Sequence, residues 1–345
     1  NGGGRAVENA EDIHGPRKDF TCHCWGKDNT VYASARCGTV SMFSHSSGEA
    51  VKVAAAVYLD NDTGVDDAAV KVGADVLVLI RDNLIAGYAD SQIRYLHPTT
   101  LEVERELGVG SYNLVYTGRN DGAAEQNVHS LQPLSSALTP KFSTLVLGTA
   151  GGHLISLSLG VEEEEEDGMG EEETVTQLHG EMHAEPVYAS SVVVGAPVPI
   201  LLNGSVDGSL RVWNSSRRTL IETKTFPSSI FLCAGNSPNR PLAAFGTMDG
   251  ILRVFYVSGT AEKVDVKTIY RCKLAATAVS SICFHPSKPL LAVVVIRDRR
   301  IFFLDYRADE KIRIIGVSEL DEGIAPNTIA WRGTEGMELL VGTHS

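Results

Sequence analysis

The chain reads as all-β, built from one short hairpin used repeatedly. The stretch LLNGSVDGSLRVWN (Leu201–Asn214) shows the unit: an apolar run, an Asp207-Gly208 turn, and a second run carrying Leu210, Val212 and Trp213. Related stretches begin at Val31 (VYASARCGTVSMFS), Leu84 (LIAGYADSQIRYLHP), Thr144 (TLVLGTAGGHLISLSL), Leu242 (LAAFGTMDGILRVFYV), Leu290 (LLAVVVIRDRRIFFLD) and Leu339 (LLVGTHS). Within them apolar and polar residues alternate, as in Ile93-Arg94-Tyr95, Leu210-Arg211-Val212-Trp213 and Leu252-Arg253-Val254-Phe255. A period of two is that of a strand, whose successive side chains point to opposite faces.

The turns supply the next level. The positions that align with Gly208 are Gly38, Ser91, Gly152, Gly250 and Arg299. Glycine there provides the positive φ that tight two-stranded connections favour. Arg299 departs from that chemistry, so a different turn is expected in its copy. Upstream of two hairpins lie Pro/Ser/Asn turns, GNSPNRP (Gly235–Pro241) and FHPSKP (Phe284–Pro289). Downstream lie further strand-like runs, LIETKTF (Leu220–Phe226) and VDVKTIY (Val264–Tyr270). Each unit therefore has a first strand, a turn, a hairpin and a fourth strand.

Composition bounds the function. The 345 residues are 43% hydrophobic, enough for a substantial interior. The net charge is −13, but nine acids sit in Glu162–Glu173 (EEEEEDGMGEEE), and the rest of the chain carries only −4. A nucleic-acid partner is not expected, because such binding needs a basic footprint. The acidic run, within a loop spanning 161–175, is expected to stay solvated and disordered by self-repulsion. A basic partner is the alternative. The acidic surface of tubulin argues against docking of this loop on a microtubule wall. No segment reaches ~18 uninterrupted apolar residues, so no membrane partner is expected. The six cysteines (Cys22, Cys24, Cys37, Cys233, Cys272, Cys283) lack the density of a disulfide scaffold and point to a reducing compartment. Residues 1–19 read as an N-terminal extension and 20–345 as the repeat region. The first residue is Asn1, and the sequence stops inside a strand-turn pattern at LLVGTHS, as a piece of a longer protein would.

Four short strands per ~40–45 residues resembles the blade of a WD40 β-propeller. The sharpest copy runs from Asp207-Gly208 to Val212-Trp213, with Asn214 where the family's aspartate would sit. MHAEPVYAS (Met182–Ser190) resembles the opening in which a histidine precedes a first strand. The resemblance implies about seven four-stranded blades, the last truncated or closed by residues beyond Ser345. Trp213, Phe255 and Phe303 are the blade-strand aromatics expected to mark them. It also implies a non-catalytic scaffold without cofactor or metal. FTCHCWGKDNTVYASARCGTVSMFSHSSGE (Phe20–Glu49) and SICFHPSKPLLAVVVIRDRRIFFLD are similar to WD-repeat proteins of the ciliary axoneme, of the kind that tether inner-arm dyneins. That narrower resemblance implies a location in the cytoplasmic cytoskeleton, in the axoneme of a cilium or flagellum. Its partners would be other axonemal or scaffold proteins, dynein subunits and doublet microtubules.

Sites of chemistry were weighed against plain structure. Cys22-His23-Cys24 places at most two ligands on one face of a strand, and no second pair at zinc-like spacing follows. His179 and His183 with Glu181 and Glu185 have helical i, i+4 spacing, but Pro186 and a β-rich run follow, and no His-Glu-x-x-His is present. Gly148–Gly152 (GTAGG) precedes a strand and no Gly-Lys-Ser/Thr, so it reads as a turn and not a phosphate cradle. Sequons at Asn61, Asn203 and Asn214 carry little weight, and Asn203 falls inside a predicted strand. Two competing classes remain: an enzyme built on the propeller's central channel, and an intraflagellar-transport or vesicle-coat propeller followed by a helical solenoid.

Overall fold

The computed structural model describes residues 20–26, 30–35, 38–44, 50–53, 57–59, 70–80, 82–88, 90–108, 133–139, 144–159, 175–177, 183–196, 198–260, 263–307, 312–322, 324–331 and 338–344. The extension at 1–19, Cys37, His179, Glu181 and the acidic run lie outside them.

The described residues hold twenty-eight strands and no helix. In chain order the first sheet is β1 (Phe20–Trp25), β2 (Thr30–Ala35), β3 (Val40–Ser44) and β4 (Ala50–Val53). A two-stranded sheet follows, β5 (Val57–Leu59) and β6 (Val70–Val72), which the repeat did not foreshadow. The second four-stranded sheet is β7 (Ala74–Ile80), β8 (Asn83–Tyr88), β9 (Gln92–Leu96) and β10 (Val103–Gly108). The third is β11 (Pro133–Leu138), β12 (Thr144–Thr149), β13 (Leu154–Ser158) and β14 (Val175–Gln177). The fourth is β15 (Ala189–Val193), β16 (Ile200–Gly204), β17 (Ser209–Asn214) and β18 (Thr219–Thr225). The fifth is β19 (Phe231–Asn236), β20 (Leu242–Thr247), β21 (Ile251–Gly259) and β22 (Val264–Lys273). The sixth is β23 (Val279–Phe284), β24 (Leu290–Val295), β25 (Arg300–Asp305) and β26 (Arg313–Glu319). The last, β27 (Ala325–Trp331) and β28 (Leu339–His344), has two strands.

The expected count of about seven four-stranded blades is thus corrected: among the described residues six sheets have four strands. The stretch LLVGTHS forms the second strand of a two-stranded sheet.

The chain divides into two compact units. In the first, which holds β1–β10, β7 packs on β1 and β2. Tyr32, Val40, Met42, Leu77, Leu84, Tyr88 and Leu96 make its shared core. In the second, the first strand of each sheet packs on the sheet before it: β15 on β12, β19 on β15 and β16, β23 on β19 and β20, and β27 on β23 and β24.

Sheets covered on both faces read as largely apolar, and β16, β17 and β20 are buried throughout, with Asn203, Ser209, Arg211 and Asn214 as the polar exceptions on the first two. Alternation then decides which neighbour each side chain meets. On β17, Trp213 joins Val146 and Leu154 of the third sheet, while Leu210 and Val212 join Phe231 and Phe245 of the fifth. On β21, Phe255 faces back to the fourth sheet and Leu252 and Val254 forward to the sixth. Phe226, Phe231, Phe245 and Phe255 form a closed set of edge-to-face pairs with centroids 5.7–5.8 Å apart. Each such pair contributes about 0.5–1.5 kcal/mol beyond burial itself.

Stacking this close requires small residues on the second strands. A Cβ on Gly204 would stand 2.7 Å from the Cβ of Phe231, the first residue of the next sheet. Gly246 meets Val279 in the same way, and Gly148 meets Val187. Cysteines seal the same junctions: the Cys22 thiol donates to the Ala74 carbonyl at 3.3 Å and the Cys233 thiol to the Val279 carbonyl at 3.4 Å.

Gly204→Ala is expected to lower the unfolding free energy by about 1–3 kcal/mol, because fully buried Phe231 must shift. Gly316→Ala on β26, where the nearest atom is Phe303 Cδ2 at 4.0 Å, is expected to leave it within about 0.5 kcal/mol. Urea unfolding of the two variants checks the contrast.

Candidate functional site

In the second unit the hairpin turns gather at the same end of their sheets, and their geometry follows from one device. Gly208 N donates to the Ser205 carbonyl and Ser205 N to the Ser209 carbonyl. This is a type I turn closed by a left-handed residue, and Gly208 has φ +77°. Gly152 (φ +81°) and Gly250 (φ +77°) occupy the same position. In the first unit Gly38 (φ +86°) and Ser91 (φ +60°) do so as well.

Arg299 is not left-handed. Arg297 carries φ +59°, and Asp298 N donates to the Val295 carbonyl. The left-handed residue thus sits third in the turn Val295–Asp298, as in a type II turn. Six residues separate the flanking pair Val294 and Ile301, against five between Gly204 and Leu210. One backbone role is nonetheless kept. Leu320 N donates to the Arg299 carbonyl, as Phe226 N does to Gly208 and Leu274 N to Gly250.

The strand register places the aromatics. Trp213 and Phe255 are fully buried and sit at the bulge of the hairpin's second strand against the outer strand, facing the preceding sheet. The matching residue on β25 is Leu304, not Phe303. Phe303 faces forward, half-buried, against Ile329, Trp331 and Leu339.

The turns are tied to the segments that lead into their own sheets. Val206 N donates to the Pro186 carbonyl, Met248 N to Ile230 and Ile296 N to Ala278. Bonds also cross between sheets, from Val187 N to the Thr149 carbonyl and from Phe231 N to the Ser205 carbonyl. The result is a stitched rim on which Val206, Met248 and Ile296 stand at the second turn position. Met248 is 55% exposed, and Val206 and Ile296 are partly exposed. A rigid rim carrying apolar contacts between polar ones can grip another protein. Sequence reasoning did not single out these second positions, although they directly follow Ser205, Thr247 and Val295 at the start of each turn.

Beneath the rim of the fourth sheet is a polar cluster. The Asp207 carboxylate accepts hydrogen bonds from Ala184 N (3.1 Å), Ser209 N (2.8 Å) and Ser209 Oγ (2.6 Å), and lies 3.1 Å from His183 Nδ1. Because the Ser209 hydroxyl proton is given to Asp207, the 3.0 Å contact between Ser209 Oγ and His183 Nδ1 makes Nδ1 the donor. Neutral His183, protonated on Nδ1, fits this. Its Nε2 is buried without a hydrogen-bond partner.

Burial pushes the His183 pKa down; the Asp207 hydrogen bond opposes this, and the charge of Arg211 adds to it. Burial alone would raise the Asp207 pKa, but the hydrogen bonds from His183 and Ser209 outweigh it and hold the carboxyl well below its usual range. Ser, His and Asp are thus together, but the serine proton is bound to the carboxylate and not to the imidazole. The arrangement fixes a loop and does not activate a nucleophile.

Three arginines hold the same register on their hairpins. Arg94 pairs with Asp90 at 2.7 Å and Glu106 at 2.9 Å and lies 4.7 Å from the centre of the Tyr88 ring. Arg253 donates to Ser229 Oγ at 3.1 Å over the Phe226 ring. Arg211 is equally buried, beside His183.

Other candidates are placed as structure. Burial pushes the Cys22 thiol up, and the Cys24 thiol up to about 12, as for thiols packed within a sheet junction. His23 between them is pushed down to about 4 by burial. Among the described residues no three His, Cys, Asp or Glu side chains are grouped to hold a metal. Asn203 is fully buried and donates to Ser190 Oγ at 2.7 Å.

The His183–Asp207 cluster makes a testable statement about pH. A histidine with a lowered folded pKa stabilises the fold fully above its unfolded value of 6.5 and progressively less as pH falls toward the folded value. His183→Asn is expected to remove that component. Urea unfolding should show the difference between wild type and variant shrinking from pH 7.5 to pH 5. Asp207→Ala is expected to cost about 1–3 kcal/mol at pH 7, since it leaves buried donors unpaired.

No family model and no curated protein matches the chain. Solved structures do. A chain in the crystal structure of a mitotic checkpoint complex matches with TM-score 0.66 and 14% identity, over 95% of this chain and 86% of that one. The β-propeller domain of Cps50 (Swd1) from Myceliophteria thermophila matches with TM-score 0.65 and 11% identity, over 95% and 94%. At these identities the likeness speaks of fold alone, and with the strand order above it gives the chain an all-β propeller fold.

Proposed function

We propose that this chain is a non-catalytic scaffold that positions other proteins within a large assembly. The stitched rim carries the reading. Its turns are fixed by hydrogen bonds within each sheet and to the neighbouring sheet, and partly exposed apolar side chains stand on it at regular intervals. Preorganised loops of this kind lose little entropy when a partner is bound. The polar side chains beneath are occupied in holding the loops. One structural neighbour belongs to a mitotic checkpoint complex, which is in keeping with such a role.

The finer reading is a component of the ciliary or flagellar axoneme that anchors or restrains inner-arm dynein, with tether subunits, dynein chains and doublet microtubules as partners. Its support is the likeness of Phe20–Glu49 and of the stretch from Ser281 to Asp305 to axonemal WD-repeat proteins.

Fractionation of detergent-extracted cilia tests it. The protein is expected to stay with the demembranated axoneme, to leave it only under the salt conditions that release tethers and inner arms, and to crosslink to inner-arm components in place. Recovery in the detergent-soluble fraction would remove the axonemal reading. A Met248→Glu variant that retains every partner would remove the rim as the binding surface.

A further inference from the structure

The outer strands of the four-stranded sheets differ in one respect. β10 carries Glu104, Arg105 and Glu106, β18 carries Glu222 and Lys224, and β22 carries Asp265, Lys267, Arg271 and Lys273. Charges along an exposed edge discourage pairing with another chain. Among the outer strands of six or more residues, β26 (RIIGVSE) alone has none between its ends. Its centre is apolar and open: Ile314 is 40% exposed, Ile315 52% and Val317 51%. Three of the nine exposed large hydrophobic residues among those described lie on this one strand. Its inner edge pairs with β25 and its outer edge ends the sheet. Ile315 is the extra residue of a bulge, with no partner of its own on β25.

The charges at its ends have opposite sign. Arg313 opens the strand, and Glu319 closes it, followed by Asp321 and Glu322. Glu319 is 59% exposed, although it also pairs with Arg299 at 2.5 Å. Two copies of such a strand laid antiparallel bring each basic end beside the other's acidic end, and the apolar centres meet. A parallel pairing would set like charges together. The strand is therefore complementary to itself in one orientation.

We propose that β26 is a pairing edge for β26 of a second copy of this chain. The two strands run antiparallel and join two four-stranded sheets into one of eight. Such an interface is isologous, so each side chain in it counts twice. Seven residues span about 23 Å, which is short for an interface. The association is accordingly weak, on the order of tens of micromolar, and suits copies already concentrated in an assembly.

Sedimentation velocity of the 345-residue chain from about 5 to 500 μM tests this, on the scale of that affinity. A monomer–dimer equilibrium is expected. Val317→Lys and Ile315→Lys should each weaken it about tenfold or more, with unfolding unchanged because both side chains are half-exposed. Arg313→Glu should weaken it too, and Arg313→Glu combined with Glu319→Arg should restore it to within about threefold, as antiparallel pairing requires. A chain that stays monomeric throughout overturns the proposal, including the case in which β26 accepts an unrelated extended segment. A dimer that neither lysine variant disturbs, or that the double reversal fails to restore, overturns it equally.

Discussion

Within the second unit, the close approach of a sheet's first strand to the second strand of the sheet before it is the constraint on which the rest depends. Neither a helix nor a bulky strand would fit that gap. It admits glycine at Gly148, Gly204 and Gly246, and it places the side chains of Val187, Phe231 and Val279 directly over them. Once that spacing is set, the fourth and fifth sheets are covered on both faces and their inner strands are largely apolar. The outer strands, farthest from the junctions, are released from the demand, and β18 and β26 are largely exposed.

Many of the polar groups admitted to these junctions are hydrogen-bonded there, although Trp213 Nε1 and Asn203 Oδ1 are buried without a partner. The Ser135, Ser190 and Asn203 side chains bond to one another across the gap between the third and fourth sheets. His285 accepts from two backbone N–H groups of its own Pro-containing turn. Arg94 sits over the Tyr88 ring and between Asp90 and Glu106, and Arg253 sits over the Phe226 ring. These contacts explain why side chains that look chemically suggestive in isolation are structural here. Asp207 and Ser209 are committed to a loop, and Cys22 and Cys233 to carbonyls of the adjoining sheet.

Much of the fold was legible because its signals are local. The period of two, the glycine turns and the Pro/Ser/Asn connections all act over fewer than fifteen residues, and the hairpins they mark were found at Val31, Leu84, Thr144, Leu201, Leu242 and Leu290, with a single strand at Leu339. What was not legible depends on counting across a turn or on packing between sheets. Phe303 was grouped with Trp213 and Phe255 as a strand aromatic, but the longer turn before β25 and the bulge after it give that place to Leu304. The pair β5–β6 has no counterpart in the repeat, so no template pointed to it. The blade count was set by the repeat of the hairpin, whereas the described residues form six four-stranded sheets and two two-stranded ones. Of the rim, the turn glycines were visible as turn chemistry. The apolar second positions were not, because a lone valine or methionine in a turn carries no periodic signal.

The turn from Val295 to Arg300 holds one more residue than its counterparts, yet its sheet still stacks on the fifth and still receives the Leu320 N–H at Arg299. An insertion was absorbed by changing which residue adopts the left-handed conformation, and the strands on either side kept their partners. Lineages of this architecture can therefore diverge through their loops almost without limit while the junctions hold the shape. Chains of this fold can thus share little more than one residue in ten and still match along most of their length.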